Sequence, residues 1–312
     1  DVSFQQADLR GVNVQKTGFK SCDFTGANFD GSDLRAVNLR KMKFVGASMQ
    51  GVQLHKTQLQ HADLRGANFQ DTLFSWTLLQ HANLEGANLA GSRFEKVICN
   101  HASFKGVNLE KADLTKAVFS ECDMTGVQFA GCRFHKVYLG KCNLSQQNFR
   151  GASFSTVNVH DSNLRRADFS GATIAYSNFM GADLTEANMA QVQGGKAMFK
   201  EAIMQKVDLR EAQLQNCYFG DTDLTLAQLD SADLTHAVLT SAIIRGARAR
   251  QCNCSYADFS YADISGADFS RSNLYMARMH NTLDENTIWD GAIKTPLRGI
   301  DADLAEAEEW GL

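Results

Sequence analysis

The chain has 312 residues, with 31 Lys and Arg against 35 Asp and Glu. This near balance of charge argues against a strongly basic protein that binds nucleic acid and against a strongly acidic mimic of it. No run approaches 18 apolar residues, so the sequence predicts no membrane-spanning helix. A single Pro in the whole chain indicates a backbone with ladder hydrogen bonds throughout.

A five-residue period begins at Val2 and continues to Met279. The residues whose numbers end in 4 or 9 are Leu, Phe, Met, Ile or Val, apart from Cys99, Gly194, Ala249 and Cys254, and they include all 20 Phe of the chain. The residues two positions earlier are small, apart from Met42 and Gln147. This spacing fits neither a helix nor a strand, and it predicts stacked pentads that each turn one large and one small side chain inward.

Glycine sets the length of one coil. It occurs 16 times two residues after the large position, and all but Gly181 fall into two series spaced by 20 residues, represented by Gly66 and Gly91. The true repeat is therefore 20 residues, or four pentads. About 14 coils at roughly 4.8 Å each predict a rod of about 65–70 Å.

The segments ADLRG at 62–66, ANLEG at 82–86 and ADLTE at 182–186 resemble bacterial pentapeptide-repeat proteins. The resemblance covers residues 2–279. It implies an all-β fold, a right-handed quadrilateral β-helix, and it implies little about function because this fold serves several roles.

The sequence predicts two segments, a β-helix over 1–280 and a C-terminal cap over 281–312. Leu283, Ile288, Trp289 and Ile293 are expected to cover the last coil, and a short acidic helix is expected from Asp301 to Glu309. The resemblance implies a homodimer joined through this segment. Because no capping segment precedes Asp1, we expect the chain to be a module of a larger bacterial protein.

Candidate chemistry is sparse. Asp and Asn before the large residue are interpreted as side chains that stabilise turns, and the nucleotide and hydrolase motifs are missing, so the sequence predicts no enzyme and no cofactor.

All eight Cys occupy inward positions, which predicts buried reduced thiols and a cytoplasmic location. His61, His81 and His101 form an outward ladder, for which a metal site and a pH-sensitive patch are both open. Gly194 replaces a large residue and predicts a thin spot or bend.

The outer surface carries the functional prediction. One corner column repeats Lys with aromatic residues, and on the next side the position that usually holds Asp or Asn becomes apolar in four coils and then in three. Such a surface is typical of protein interfaces. The predicted interaction surface comprises Leu73, Trp76, Leu78, Lys96, Ile98, Lys116, Val118, Lys136, Tyr138, Tyr176, Met198, Tyr218, Val238 and Tyr256.

Three functions are compatible with these residues. The first is a non-enzymatic protein–protein interaction scaffold or rigid spacer, associated with a bacterial secretion system as an accessory or effector-associated protein. The alternative, taken from the resemblance, is a DNA-duplex mimic that binds and protects or inhibits a topoisomerase such as gyrase. A third, direct binding of nucleic acid through the lysine column, is disfavoured by the negative net charge.

Overall fold

A computed structural model of the protein describes residues 2–15, 18–299, 301, 305 and 306. The chain divides into two compact units, Asp1–Asn163 and Leu164–Leu312. Every bridge among the described residues is parallel and joins residues 20 apart, as in Asp63↔Asn83 and Asp208↔Gln228. The 20-residue repeat is confirmed, and each unit is a β-helical solenoid.

Each pentad ends in a tight turn, which explains the composition of the repeat. The Ala67 N–H donates to the Leu64 carbonyl at 3.1 Å, while Gly66 has a φ of +63°. A positive φ at the third residue of a β-turn favours Gly, as in a type II turn. The Asx residue adds a second support, since Oδ1 of Asn83 accepts from the Glu85 N–H at 3.0 Å.

The described residues of the first unit form five short strands: β1 (Val2–Ser3), β2 (Cys22–Asp23), β3 (Gln53–His55), β4 (Leu73–Ser75) and β5 (Arg93–Glu95). Strand β1 pairs with β2, and β4 lies between β3 and β5. The core beneath them is a column of large side chains, in which the rings of Phe74 and Phe94 stack at 4.9 Å. Inward hydroxyls are satisfied by backbone carbonyls, as where Thr72 donates to Met49 at 2.9 Å.

The ladder of the first unit opens on the two sides that carry Gln128 and Arg133. Within the described part of the chain, Gln128 and Arg133 form no bridge to Asn148 and Ser153, whereas the bridges Asp123↔Asn143 and Tyr138↔Asn158 on the other two sides are intact. The opening is a fissure of about 940 Å³ lined by residues 125–132 and 145–153 together with Glu110. Gln147 occupies a small inward position here, and its Nε2 donates to the Met124 carbonyl at 2.8 Å. We interpret this long side chain as a wedge between the two coils.

The second unit is closed where the sequence predicted a flaw. A Cβ added to Gly194 would lie 2.8 Å from Leu214 and 3.3 Å from Ile174, so these side chains fill the space that a large residue would occupy. The Gly194 N–H also donates to the Gln213 carbonyl at 2.7 Å. The predicted thin spot is therefore wrong.

The pentad register of the second unit continues beyond Met279, with bridges up to Arg278↔Arg298. Trp289 stacks on Phe269 at 5.3 Å, as a covering residue should. Leu283, Ile288 and Ile293 instead occupy the outward position and are exposed, so the expectation that they cover the last coil is wrong. The predicted helix falls mostly outside the described residues, although the Ala305 N–H donates to the Asp301 carbonyl at 2.9 Å.

Candidate interaction surface

One face of the first unit brings together most of the predicted surface residues. It consists of the outward side chains of residues 56–61, 76–81, 96–101, 116–121 and 136–141, and we call it the lysine–histidine face. An apolar ladder runs along its middle, because successive bridges place Leu78, Ile98, Val118 and Tyr138 in one line. All four side chains are half-buried. Part of each apolar side chain therefore remains exposed to solvent.

A lysine corner borders this ladder. Lys56, Trp76, Lys96, Lys116 and Lys136 occupy the third position of their turns, with φ between +53° and +60°, and all are exposed. The Lys96 Nζ lies 4.1 Å from the centre of the Trp76 ring, a cation–π contact. None of these lysines forms an ion pair with another described residue. Lys16, the preceding lysine of the predicted column, lies outside the described residues.

The surface extends around the lysine corner to strand β4. Leu73 lies on the adjacent side and is 45% exposed, close to the 48% exposure of Trp76. Leu73 pairs with Gln53 and Arg93 in the sheet, so its neighbours are polar. Leu73 therefore adds apolar surface next to Trp76 and does not extend the apolar ladder.

Tyr138 ends the ladder with a polar contact. Its hydroxyl lies 2.6 Å from Nε2 of His160, whose Nδ1 lies 3.0 Å from Oδ2 of Asp161. The ring packs over Gly140, where an added Cβ would lie 2.7 Å from the Tyr138 Oη. Tyr138 is thus held in place within the first unit.

A histidine corner forms the opposite border of the face. The rings of His61 and His81 stack at 4.7 Å, and those of His81 and His101 at 4.9 Å. His101 Nδ1 lies 3.4 Å from Oε2 of Glu121. Desolvation lowers the pKa of His61, and the charges of His81, Lys41 and Arg40 lower it further. Among the described residues, no three or more His, Cys, Asp or Glu side chains are arranged so that they could hold a metal ion.

The sequence did not reveal a polar column beside the apolar ladder. Oε1 of Gln60, Oε1 of Gln80 and Oδ1 of Asn100 are buried and accept no hydrogen bond from the described residues. These amides follow the ladder by two residues in successive coils. The 20-residue register places them in one column between the apolar ladder and the histidine corner.

The second unit carries its own set of predicted residues. Met198, Tyr218 and Val238 are joined by successive bridges, and Met198 is 44% exposed. Tyr218 folds over Gly220 in the manner of Tyr138 over Gly140. The Lys196 Nζ lies 5.5 Å from the centre of the Tyr176 ring.

Tyr256 belongs to a separate aromatic stack of the second unit. It stacks on His236 at 4.8 Å and meets Tyr275 edge-on at 5.6 Å. Sequence reasoning missed the exposed Ile203, Leu226 and Ile243 of this unit. Ile203 and Ile243 carried the signal used elsewhere, an apolar residue at the Asp or Asn position.

Some carboxylates of both units are paired with an arginine of the same pentad. Asp33 accepts two hydrogen bonds from the Arg35 guanidinium, which holds the pKa of Asp33 well below its usual range. Asp208 is paired in the same way with Arg210. The interpretation of these residues as turn-stabilising groups is confirmed for many pentads, and the charges of Asp33 and Asp208 are compensated locally.

Burial protects two of the thiols from ionisation. All eight Cys are free, and burial raises the pKa of Cys132 and of Cys217 to about 12. The thiolate is the reactive form of cysteine, so these thiols are poor nucleophiles at neutral pH. Among the described residues, no helix is both long and apolar enough to cross a bilayer.

Comparison with known families gives a consistent result along the chain. The family model "Pentapeptide repeat region" matches residues 1–74, 92–169 and 122–199, and "Pentapeptide repeats (8 copies)" matches 72–110, 208–246 and 252–282. No match was found among curated proteins.

Solved structures similar to this chain include HetL, a pentapeptide repeat protein involved in heterocyst differentiation regulation from the cyanobacterium Nostoc sp. strain PCC 7120. HetL shows 23% identity and a TM-score of 0.26, over 85% of this chain and 89% of its own. A trypsin-treated form of QnrB1, a plasmid-mediated fluoroquinolone resistance protein, shows 17% identity and a TM-score of 0.26, over 66% and 86%. A pentapeptide repeat protein from the Arabidopsis thaliana thylakoid lumen shows 31% identity and a TM-score of 0.12, over 37% and 63%.

Proposed function

Because the chain belongs to the pentapeptide-repeat family, we propose that it is a non-enzymatic scaffold that binds a protein partner through the lysine–histidine face. The observation that carries this proposal is the juxtaposition of the apolar ladder with lysines that lack an ion partner among the described residues. Interfaces combine an apolar centre with a charged rim, and Trp and Tyr are common at their energetic centres. Trp76 lies at the edge of this ladder.

Local charge compensation supports this function over the mimicry of a DNA duplex. A mimic presents rows of free carboxylates in place of phosphates, whereas carboxylates such as Asp33 and Asp208 are occupied by arginines of their own pentads. The lysine corner adds uncompensated positive charge. A topoisomerase partner such as gyrase is kept as one outcome of the test.

The test is affinity capture from a bacterial lysate, with the triple variant Leu78→Asn, Ile98→Asn and Val118→Asn beside the unchanged chain. Asn suits these positions because the repeat accepts it there and its Oδ1 can form the Asx turn seen at Asn83. A control variant, Ile203→Asn with Ile243→Asn, changes exposed apolar residues at equivalent positions of the second unit. We expect one protein to be retained by the unchanged chain and the control and lost from the triple variant.

Equal retention of all partners by the triple variant would overturn the assignment of this face. Capture of a topoisomerase by all three chains would favour the duplex mimic instead.

Finer features expected from the sequence are further proposals. They are right-handed winding, about 14 coils, a cytoplasmic location, association with a secretion system, and a homodimer joined through the C-terminal segment. Sedimentation equilibrium of the intact chain tests the last of these.

A further inference from the structure

The charge of the lysine–histidine face is one-sided. Its outward positions hold Lys56, Lys96, Lys116, Lys136 and Lys141 and the histidines His61, His81 and His101, against a single acid, Glu121. The lysines form no ion pair with any other described residue. Elsewhere in the first unit several arginines are paired with Asp, as Arg65 is with Asp63 at 2.7 Å. This face therefore carries positive charge along the lysine corner and apolar side chains beside it.

We infer that the partner presents an acidic amphipathic α-helix, which lies along the apolar ladder and places its carboxylates against the lysine corner. This inference rests on the proposed function and specifies the chemistry of the partner. The helix would use an apolar stripe to cover Leu78, Ile98 and Val118, a recognised mode of helix docking.

The spacing of the coils suits such a helix. Successive coils on this face are 4.7 Å and 4.9 Å apart at the stacked histidines. One turn of an α-helix rises about 5.4 Å, so carboxylates three and four residues apart remain close to register with the lysines for two or three turns. An extended strand repeats its side chains on one face at roughly 6.6–6.8 Å and loses register sooner.

Complementary charge should act on specificity and on the rate of association. The lysines are exposed, so their attraction for carboxylates is screened by salt. The apolar ladder is insensitive to salt by comparison. A helix that satisfies both features is distinguishable from a nucleic acid, which would use the charge and leave the ladder uncovered.

The test uses the full chain and a synthetic helical peptide of about four turns with a Leu stripe flanked by Glu residues. The matched peptide replaces each Glu with Gln and keeps the stripe. Binding is measured by fluorescence anisotropy at low and high salt. We expect the Glu peptide to bind at least tenfold tighter than the Gln peptide at low salt, and this preference to shrink at high salt.

Two chain variants locate the site. Lys116→Glu reverses a charge on the face, and Lys111→Glu reverses one at another turn with the same backbone conformation, since Lys116 has a φ of +60° and Lys111 of +59°. Circular dichroism confirms that both variants fold. We expect Lys116→Glu to weaken Glu-peptide binding at least fivefold and Lys111→Glu to leave it within twofold.

Equal binding of the two peptides, or equal loss in the two variants, would overturn the inference. So would tighter binding of a single-stranded oligonucleotide that survives the triple Asn variant. A partner captured through the ladder without any binding of the Glu peptide would leave the proposed function intact and contradict the helix alone.

Discussion

Two stretches of the first unit follow the same pentad pattern and close differently. Across residues 56–121, successive coils are bridged on all four sides, as in Gln58↔Leu78 and Asn83↔Ser103. Across residues 126–156, two sides are open and the rings of Phe129 and Phe149 tilt by 35°. The inward small position is Thr72 in the closed stretch and Gln147 in the open one. We infer that Gln147 separates the coils here, whereas Met42, a long residue at a small inward position of another coil, leaves the bridges Asn38↔Gln58 and Lys43↔Asp63 intact.

The largest expected effect comes from removing a core ring in the closed stretch. Phe119→Ala should reduce the free energy of unfolding by about 3–5 kcal/mol, because Phe119 is fully buried against Phe104 at 5.3 Å. Chemical denaturation measures this loss. Phe129→Ala should cost at least about 1 kcal/mol less, since its surroundings already open into the fissure. Equal losses would show that the fissure has no energetic consequence.

Introducing the wedge into the closed stretch should open it. In Thr72→Gln the new amide can donate to the Met49 carbonyl, as Gln147 does to Met124. The extra volume should separate the coils and reduce the free energy of unfolding by about 1–3 kcal/mol. Hydrogen exchange of the amides in 69–76 reports the opening. Unchanged exchange at these amides would mean that side-chain size alone does not open a ladder.

Removing the wedge should close the fissure. Gln147→Thr keeps a donor for the Met124 carbonyl, because inward Thr and Ser donate to the residue 23 positions earlier. Restored ladder bonds should raise the free energy of unfolding by about 1–2 kcal/mol. The amides of Gly126, Phe129 and Gly131 should then exchange more slowly. Faster exchange there would contradict the role of Gln147 as a wedge.

Thiol labelling gives the smallest effect. Cys132 lines the fissure and is half-buried, whereas Cys99 is fully buried in the closed stretch. Because the pKa of Cys132 is raised to about 12, its labelling by iodoacetamide should be slow at pH 8 and rise about tenfold per pH unit toward that value. Mass spectrometry of digests compares the two sites. Cys99 should label more slowly at every pH, and equal rates would contradict the difference in access.

The fold was predictable because the information is local. The place of a residue in its pentad decides whether its side chain points inward. The spacing of the glycines then gives the 20-residue repeat, and the positive φ at Gly66 explains why glycine is frequent at that turn position. The consequence of Gln147 was not predictable, although its departure from the pattern was visible. The thin spot predicted at Gly194 was wrong because the side chains of Leu214 and Ile174 occupy the space that a large residue at 194 would take. How far side chains reach from adjacent coils is not visible in the sequence.

The interaction surface was predictable in part. The spacing of 20 placed Leu78, Ile98 and Val118 in one line, and the bridges confirm that alignment. The sequence did not predict that His61 and the lysine corner border the same face, because this depends on where each turn bends the backbone. The burial of the Gln80 amide oxygen depends on side-chain packing, which a single sequence does not specify.

The most direct test of the account is the affinity of the captured partner for the triple variant Lys96→Glu, Lys116→Glu and Lys136→Glu. Calorimetric titration measures binding, and thermal melting controls for folding. We expect the triple variant to lose binding. Its melting temperature should stay unchanged, because these side chains are exposed and lack ion partners among the described residues. Binding as tight as that of the unchanged chain would show that the lysine corner is only a solvated surface.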